Sequence, residues 1–107
     1  MLIDHRTYRI KPGHVRTHLE IYEKYGYEAQ NRHLGKPLLY MFAESGDMNT
    51  VVHNWAYTDA ADRANRRAAM MADPQWKNYL QKLVESELLV DQRTSLMIPT
   101  KFCKLVP

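Results

Sequence analysis

Four strand-like runs, set apart by two stretches of helical period, predict an α+β fold with the order β-α-β-β-α-β. Two observations anchor the prediction. Val51 to Tyr57 alternates strictly, with Val51, His53, Trp55 and Tyr57 on one side and Val52, Asn54 and Ala56 on the other, and a helical period takes over at Thr58-Asp59, two good N-cap residues. Leu38 to Glu44 and Asn49 to Tyr57 flank the turn Ser45-Gly46-Asp47, which makes them an antiparallel hairpin. At 107 residues the chain is expected to be one domain, residues 1–107, of two packed layers. The fold class is therefore ferredoxin-like, βαββαβ, with a four-stranded antiparallel sheet and helices over one face.

The first strand runs over Ile3 to Ile10 and ends at Pro12-Gly13. Leu2, Asp4, Arg6, Tyr8 and Ile10 share one side, so this strand is either solvated on one face or lines something polar. From His14 to about Leu34 the period is helical, with Val15, Leu19, Tyr22, Gly26, Ala29 and His33 along one stripe. Gly26 in that stripe costs roughly 1 kcal/mol against alanine. Either the helix approaches the sheet closely there, or it breaks at Tyr25-Gly26-Tyr27. Gly35-Lys36-Pro37 ends the helix.

Leu38 to Glu44 is apolar on both sides, and a strand buried on both faces needs cover on both. The helices supply cover for one face only. The economical cover for the other, where Leu39, Met41, Val52 and Ala56 fall, is the sheet of a second copy, which gives a dimeric α/β barrel. The helix after Asp59 carries Ala60, Ala61, Ala64, Ala68 and Met71 on one side. Asp73-Pro74 restarts it as cap and first-turn proline. Trp76, Tyr79, Leu80, Leu83 and Val84 then form a bulkier stripe. The last strand is expected over about Arg93 to Ile98, followed by the tail PTKFCKLVP.

Composition narrows the function classes. Fifteen basic residues interleave with twelve acidic ones for a net charge of +3, and no single-sign block of the kind a nucleic-acid arm shows is present. No apolar run approaches the roughly 20 residues that cross a bilayer, and MLIDHRTYRI lacks the apolar core of a signal peptide. One cysteine, Cys103, allows no internal disulfide and suits a reducing compartment. The expectation is a cytoplasmic protein without nucleic-acid or membrane partners.

The candidate site residues come from three places. His53, Trp55 and Tyr57 stand about 6.5 Å apart on one face of a strand. Such a row can line a pocket, with a flat indole wall and rings that donate or accept protons, or serve as core and dimer packing. Arg67 lies at the edge of its helix's apolar stripe, with Arg63 farther out and Arg66 toward solvent. An edge guanidinium can turn inward to hold a carboxylate, or pair with Asp59, Asp62 or a partner subunit. Arg6 beside Tyr8 needs a carboxylate or a ligand, and Asp4 is the nearby carboxylate. His14 and His18 have a spacing that can clamp a metal, but no third ligand is evident, so no metal is expected. No glycine-rich phosphate loop, nucleophile elbow or paired-cysteine motif appears, and no cofactor is expected.

RTYRIKPG at residues 6–13, GDMNTVVHNWAY at 46–57, DRANRRAAM at 62–70 and DPQW at 73–76 together resemble the NIPSNAP domain, in the right order and over almost the whole chain. The resemblance implies a ferredoxin-like subunit in a dimeric α/β barrel and implies no reaction. Asn54 stands where the family usually has an apolar residue, and Phe102-Cys103 where it typically has phenylalanine-serine. The expected function is a homodimer, or higher assembly, that binds a small, partly apolar or anionic molecule between sheet and helices, with Arg6, Tyr8, His53, Trp55, Tyr57 and Arg67 lining the site. Two other readings stay open. One is a small enzyme, by analogy with cofactor-independent monooxygenases, haem-degrading enzymes and isomerases of barrel architecture. The other is a non-enzymatic interaction module.

Overall fold

The computed structural model of the protein describes residues 1–105, so the last two residues of the tail lie outside the described residues. Its strands are β1 (Leu2–Ile10), β2 (Leu39–Phe42), β3 (Thr50–Tyr57) and β4 (Leu89–Met97). They form one sheet in the order β2-β3-β1-β4, every pair antiparallel. Helices α1 (Val15–Tyr25) and α2 (Tyr27–Leu34) join β1 to β2, and α3 (Ala60–Ala72) and α4 (Pro74–Ser86) join β3 to β4. The fold is ferredoxin-like, as the order of periods implies.

Capping chemistry sets the helix starts. The Asp59 carboxylate accepts from the backbone N–H of Asp62 at 2.8 Å and opens α3. Asp73 accepts from the N–H of Gln75 at 2.8 Å and opens α4, with Pro74 in the first turn. Gly35 and Gly46 take φ near +79°, which ends α2 and turns the hairpin, respectively.

Two strand boundaries differ from the sequence reading, and at Gly26 one of its two alternatives, the break, is the one observed. The stretch 14–34 is two helices jointed at Gly26. The close neighbour there is α4 and not the sheet: a Cβ on Gly26 would stand 2.8 Å from the Tyr79 ring. The last strand starts at Leu89, well before Arg93. Glu87, with φ 56°, reverses the chain after α4 and delivers Leu89 opposite Ile10, where a register shift falls between Arg9 and Ile10. β2 is shorter than the apolar run that contains it.

Register decides what faces the helices. Tyr40, His53, Arg6 and Thr94 form one cross-strand row, and Trp55, Asp4 and Leu96 the next. A core of Tyr22, Ala29, Leu34, Trp55, Tyr57 and Met70 packs beneath the helices with Trp76 and Tyr79, and a smaller cluster holds Ile10, Val51 and Leu88. The other sheet face carries Leu39, Met41, Val52, Ala56 and Met97 around a 2.7 Å hydrogen bond between His5 and Asn54. Every residue of β4 after Leu89 is exposed.

Candidate functional site

Between the helices and the helix-facing side of the sheet lies a cavity of about 470 Å³. That is within the size range of small-molecule sites. Its floor is the cross-strand row Tyr40, His53 and Arg6, extended by Tyr8 of β1 and Gln92 of β4. Arg67 and Met71 of α3 and Leu80, Leu83 and Val84 of α4 form a roof, while Tyr22, Trp76 and Tyr79 supply aromatic walls. The cavity is thus largely apolar, with polar groups from the sheet, Arg67 of α3, Gln30 of α2 and Glu87 at the end of α4.

The rings on the floor are held by one another. Tyr40 stacks on the His53 ring at 4.5 Å with planes 10° apart, and Tyr22 stacks on Tyr40 at 4.9 Å. Tyr8 meets His53 edge-on at 4.7 Å. Trp55 donates its indole N–H to Nδ1 of His53 at 2.7 Å, which the i, i+2 placement on one strand face permits. His53 is 1% exposed, and its Nε2 has no hydrogen-bond partner among the described residues. Burial pushes the His53 imidazolium down to about 3, with the nearby Arg6 charge acting in the same direction, so the ring is neutral across the physiological range. Burial likewise raises the phenols of Tyr22, Tyr40 and Tyr79, which stay protonated.

Charge on the polar side is unbalanced. Arg6 donates to both carboxylate oxygens of the fully buried Asp4, at 3.0 and 3.3 Å, and Arg63 donates to the same carboxylate at 3.0 Å. Burial works to raise the Asp4 carboxyl, but the two guanidiniums outweigh it and hold the group below the usual carboxylate range. Arg67 makes no ion pair and no hydrogen bond among the described residues. Burial lowers the Arg67 guanidinium, and repulsion from Arg6 and Arg63 adds to it. Two guanidiniums share one carboxylate, and Arg67 stands on the cavity wall as a third cation with no ion pair among the described residues.

The sequence candidates divide accordingly. Arg6, Tyr8, His53 and Arg67 line the cavity. Trp55 and Tyr57 do not: they are 1% and 2% exposed in the core, where Ala29, Leu34 and Met70 join the same cluster. The expected row of three lining rings is one lining ring, His53, followed by two packed ones. Arg6 pairs with Asp4 as its position implies, whereas Arg67 pairs with neither Asp59 nor Asp62. Arg66 takes Asp62, at 2.9 Å. Tyr22, Tyr40, Trp76 and Tyr79 line the cavity although their spacing marks them only as core positions. The one available signal is that these stripes carry rings with polar tips in place of aliphatic side chains. His14 is exposed and His18 buried, and no group of three metal-ligating side chains occurs among the described residues.

The family model described as NIPSNAP matches residues 3–104. Protein NipSnap homolog 3A of Homo sapiens is 33% identical over 106 residues, covering 94% of this chain and 40% of that protein. The chain thus spans about two fifths of the length of the curated relatives it matches. Protein Atu4242 from Agrobacterium tumefaciens superposes with a TM-score of 0.91 at 40% identity, covering 99% of this chain and all of that one. An antibiotic biosynthesis monooxygenase shares the fold at a TM-score of 0.62 and 20% identity, over 94% of this chain and 99% of that one. At that identity the likeness extends to the fold alone.

Proposed function

The chain belongs to the NIPSNAP family, and from that premise we propose that it acts as a homodimer that binds a small, partly apolar anionic molecule between its sheet and its helices. The observation that carries the ligand is Arg67, a guanidinium on the wall of an aromatic cavity that makes no ion pair among the described residues. A partly buried cation costs stability unless a counter-charge meets it, and an incoming carboxylate or similar anion supplies one. The aromatic and aliphatic walls favour an apolar body behind the anionic group.

Self-association is supported by the side of the sheet that no helix covers. Met41 and Met97 are each more than half exposed there, and exposed apolar groups on one face favour burial against another copy. The experiment for the ligand is native mass spectrometry of the protein as purified, compared with Arg67→Met. A retained anion in the first and none in the second supports the reading, and no ligand in either at any condition tested counts against it. Sedimentation of a monomer at micromolar concentration would sink the dimer. Among the described residues no helix is long and apolar enough to cross a membrane.

A further inference from the structure

Two buried ring nitrogens on the cavity wall, His53 Nε2 and Trp76 Nε1, have no hydrogen-bond partner among the described residues, and both are donors. The indole N–H has no lone pair to offer, so Nδ1 of His53, 2.7 Å from Trp55 Nε1, must be the acceptor. The neutral ring then carries its proton on Nε2. A protonated Nδ1 would set two donors against each other, which excludes both the other tautomer and the imidazolium. Nε2–H is buried, belongs to a residue that lines the cavity, and finds no acceptor among the described residues. Trp76, also on the cavity wall, has a buried Nε1–H in the same condition. Arg67 adds guanidinium donors without a carboxylate partner. An orphaned buried donor is costly, and a ligand that brings an acceptor removes the cost.

We propose that the cavity takes an oxo acid: an apolar, ring-sized skeleton with a carboxylate for Arg67 and a separate carbonyl-type oxygen that accepts from His53 Nε2–H. This rests on the anion-binding reading above and adds what a bare anion does not require, a second acceptor at a fixed donor. His53 is then a specificity-determining donor and neither a proton acceptor nor a metal ligand, because its other nitrogen is committed to Trp55. An amine in place of the carboxylate would meet the Arg67 guanidinium, and one in place of the carbonyl oxygen would meet the His53 donor.

The test compares two probes that differ in one oxygen, 4-oxo-4-phenylbutanoate and 4-phenylbutanoate, by titration calorimetry against the intact protein. The oxo compound binds wild type about tenfold more tightly, the scale of one satisfied buried hydrogen bond, equivalent to about 1.4 kcal/mol. In His53→Phe that ratio falls to near one, while His53→Gln, which retains an amide donor, restores part of it. Arg67→Met weakens both probes. Nitrogen-15 spectra of histidine-labelled wild type read the same point without any variant: His53 shows protonated Nε2 and unprotonated Nδ1. Equal binding of the two probes to wild type, or a protonated Nδ1, overturns the oxo-acid assignment. If Arg67→Met still weakens both probes in that case, the anion-binding reading survives. If neither probe binds wild type at millimolar concentration, or Arg67→Met changes neither, the two fall together.

Discussion

Acidification from pH 7 to pH 5 should destabilise the protein, and His53 should account for about 2 kcal/mol of the loss. The unfolded chain carries this imidazole at its ordinary value near 6.5, whereas the folded protein holds it down to about 3 by burial and by the Arg6 charge. Between those values the unfolded state binds the extra proton, so stability is complete above pH 6.5 and falls as the pH drops toward 3. Protonating an unfolded histidine at pH 5 lowers its free energy by about 2 kcal/mol, against a few tenths at pH 7, and the native ring takes up almost nothing. His18 is buried with neither ring nitrogen partnered among the described residues, and burial lowers it too, so it adds a loss of the same sign. Urea unfolding of wild type and His53→Gln at pH 7 and pH 5 separates the two, because the His18 contribution is common to both proteins. The variant should lose about 2 kcal/mol less than wild type over that interval. Equal losses would refute the argument that a neutral His53 is locked beneath the helices.

Three further outcomes follow from the packing. Asp4→Asn leaves Arg6 and Arg63 without the buried charge they share and should cost about 3–5 kcal/mol in urea unfolding. The stabilisation from Asp4 itself is full above the ordinary carboxylate value and is lost only as the pH falls through its lowered one. Gly26→Ala should destabilise by about 1–3 kcal/mol despite alanine's higher helix propensity, because its Cβ would stand 2.8 Å from the Tyr79 ring, and a thermal melt that rises would contradict the packing. Arg67→Met should unfold at the same or higher urea concentration, a gain of up to about 2 kcal/mol, since it removes a cation repelled by Arg6 and Arg63. A clear loss of stability in that variant would mean Arg67 has a structural partner.

Element order and type were legible because they depend on local chemistry. The alternation from Val51 to Tyr57, the caps Asp59 and Asp73 and the turn at Gly46 each act within a few residues, and so does the reach from Arg6 back to Asp4 along one strand. The same locality explains the misplaced start of β4. Leu89 pairs with Ile10 only because Glu87 turns the chain back onto β1, a contact across the whole fold. Gly26 shows the boundary within a single residue. Its cost in a helix is visible in the sequence, but the ring that requires it belongs to Tyr79, fifty-three positions on.

The candidate site divides along the same line. That His53, Trp55 and Tyr57 share a strand face, and that Arg67 sits at a helix edge, is set by periods of 2.0 and 3.6 residues and needs no tertiary knowledge. Which of those side chains meets a cavity depends on how α3 and α4 lie over the sheet. They leave a space above the row Tyr40, His53 and Arg6, while Trp55 and Tyr57 are packed into the core. Periodicity names a face but cannot say where along it the covering layer touches. The sequence by itself determined the fold and the inward direction of these residues. Only the tertiary structure brought Arg63 to the carboxylate that Arg6 already reaches along its strand, and left Arg67 without an ion-pair partner among the described residues.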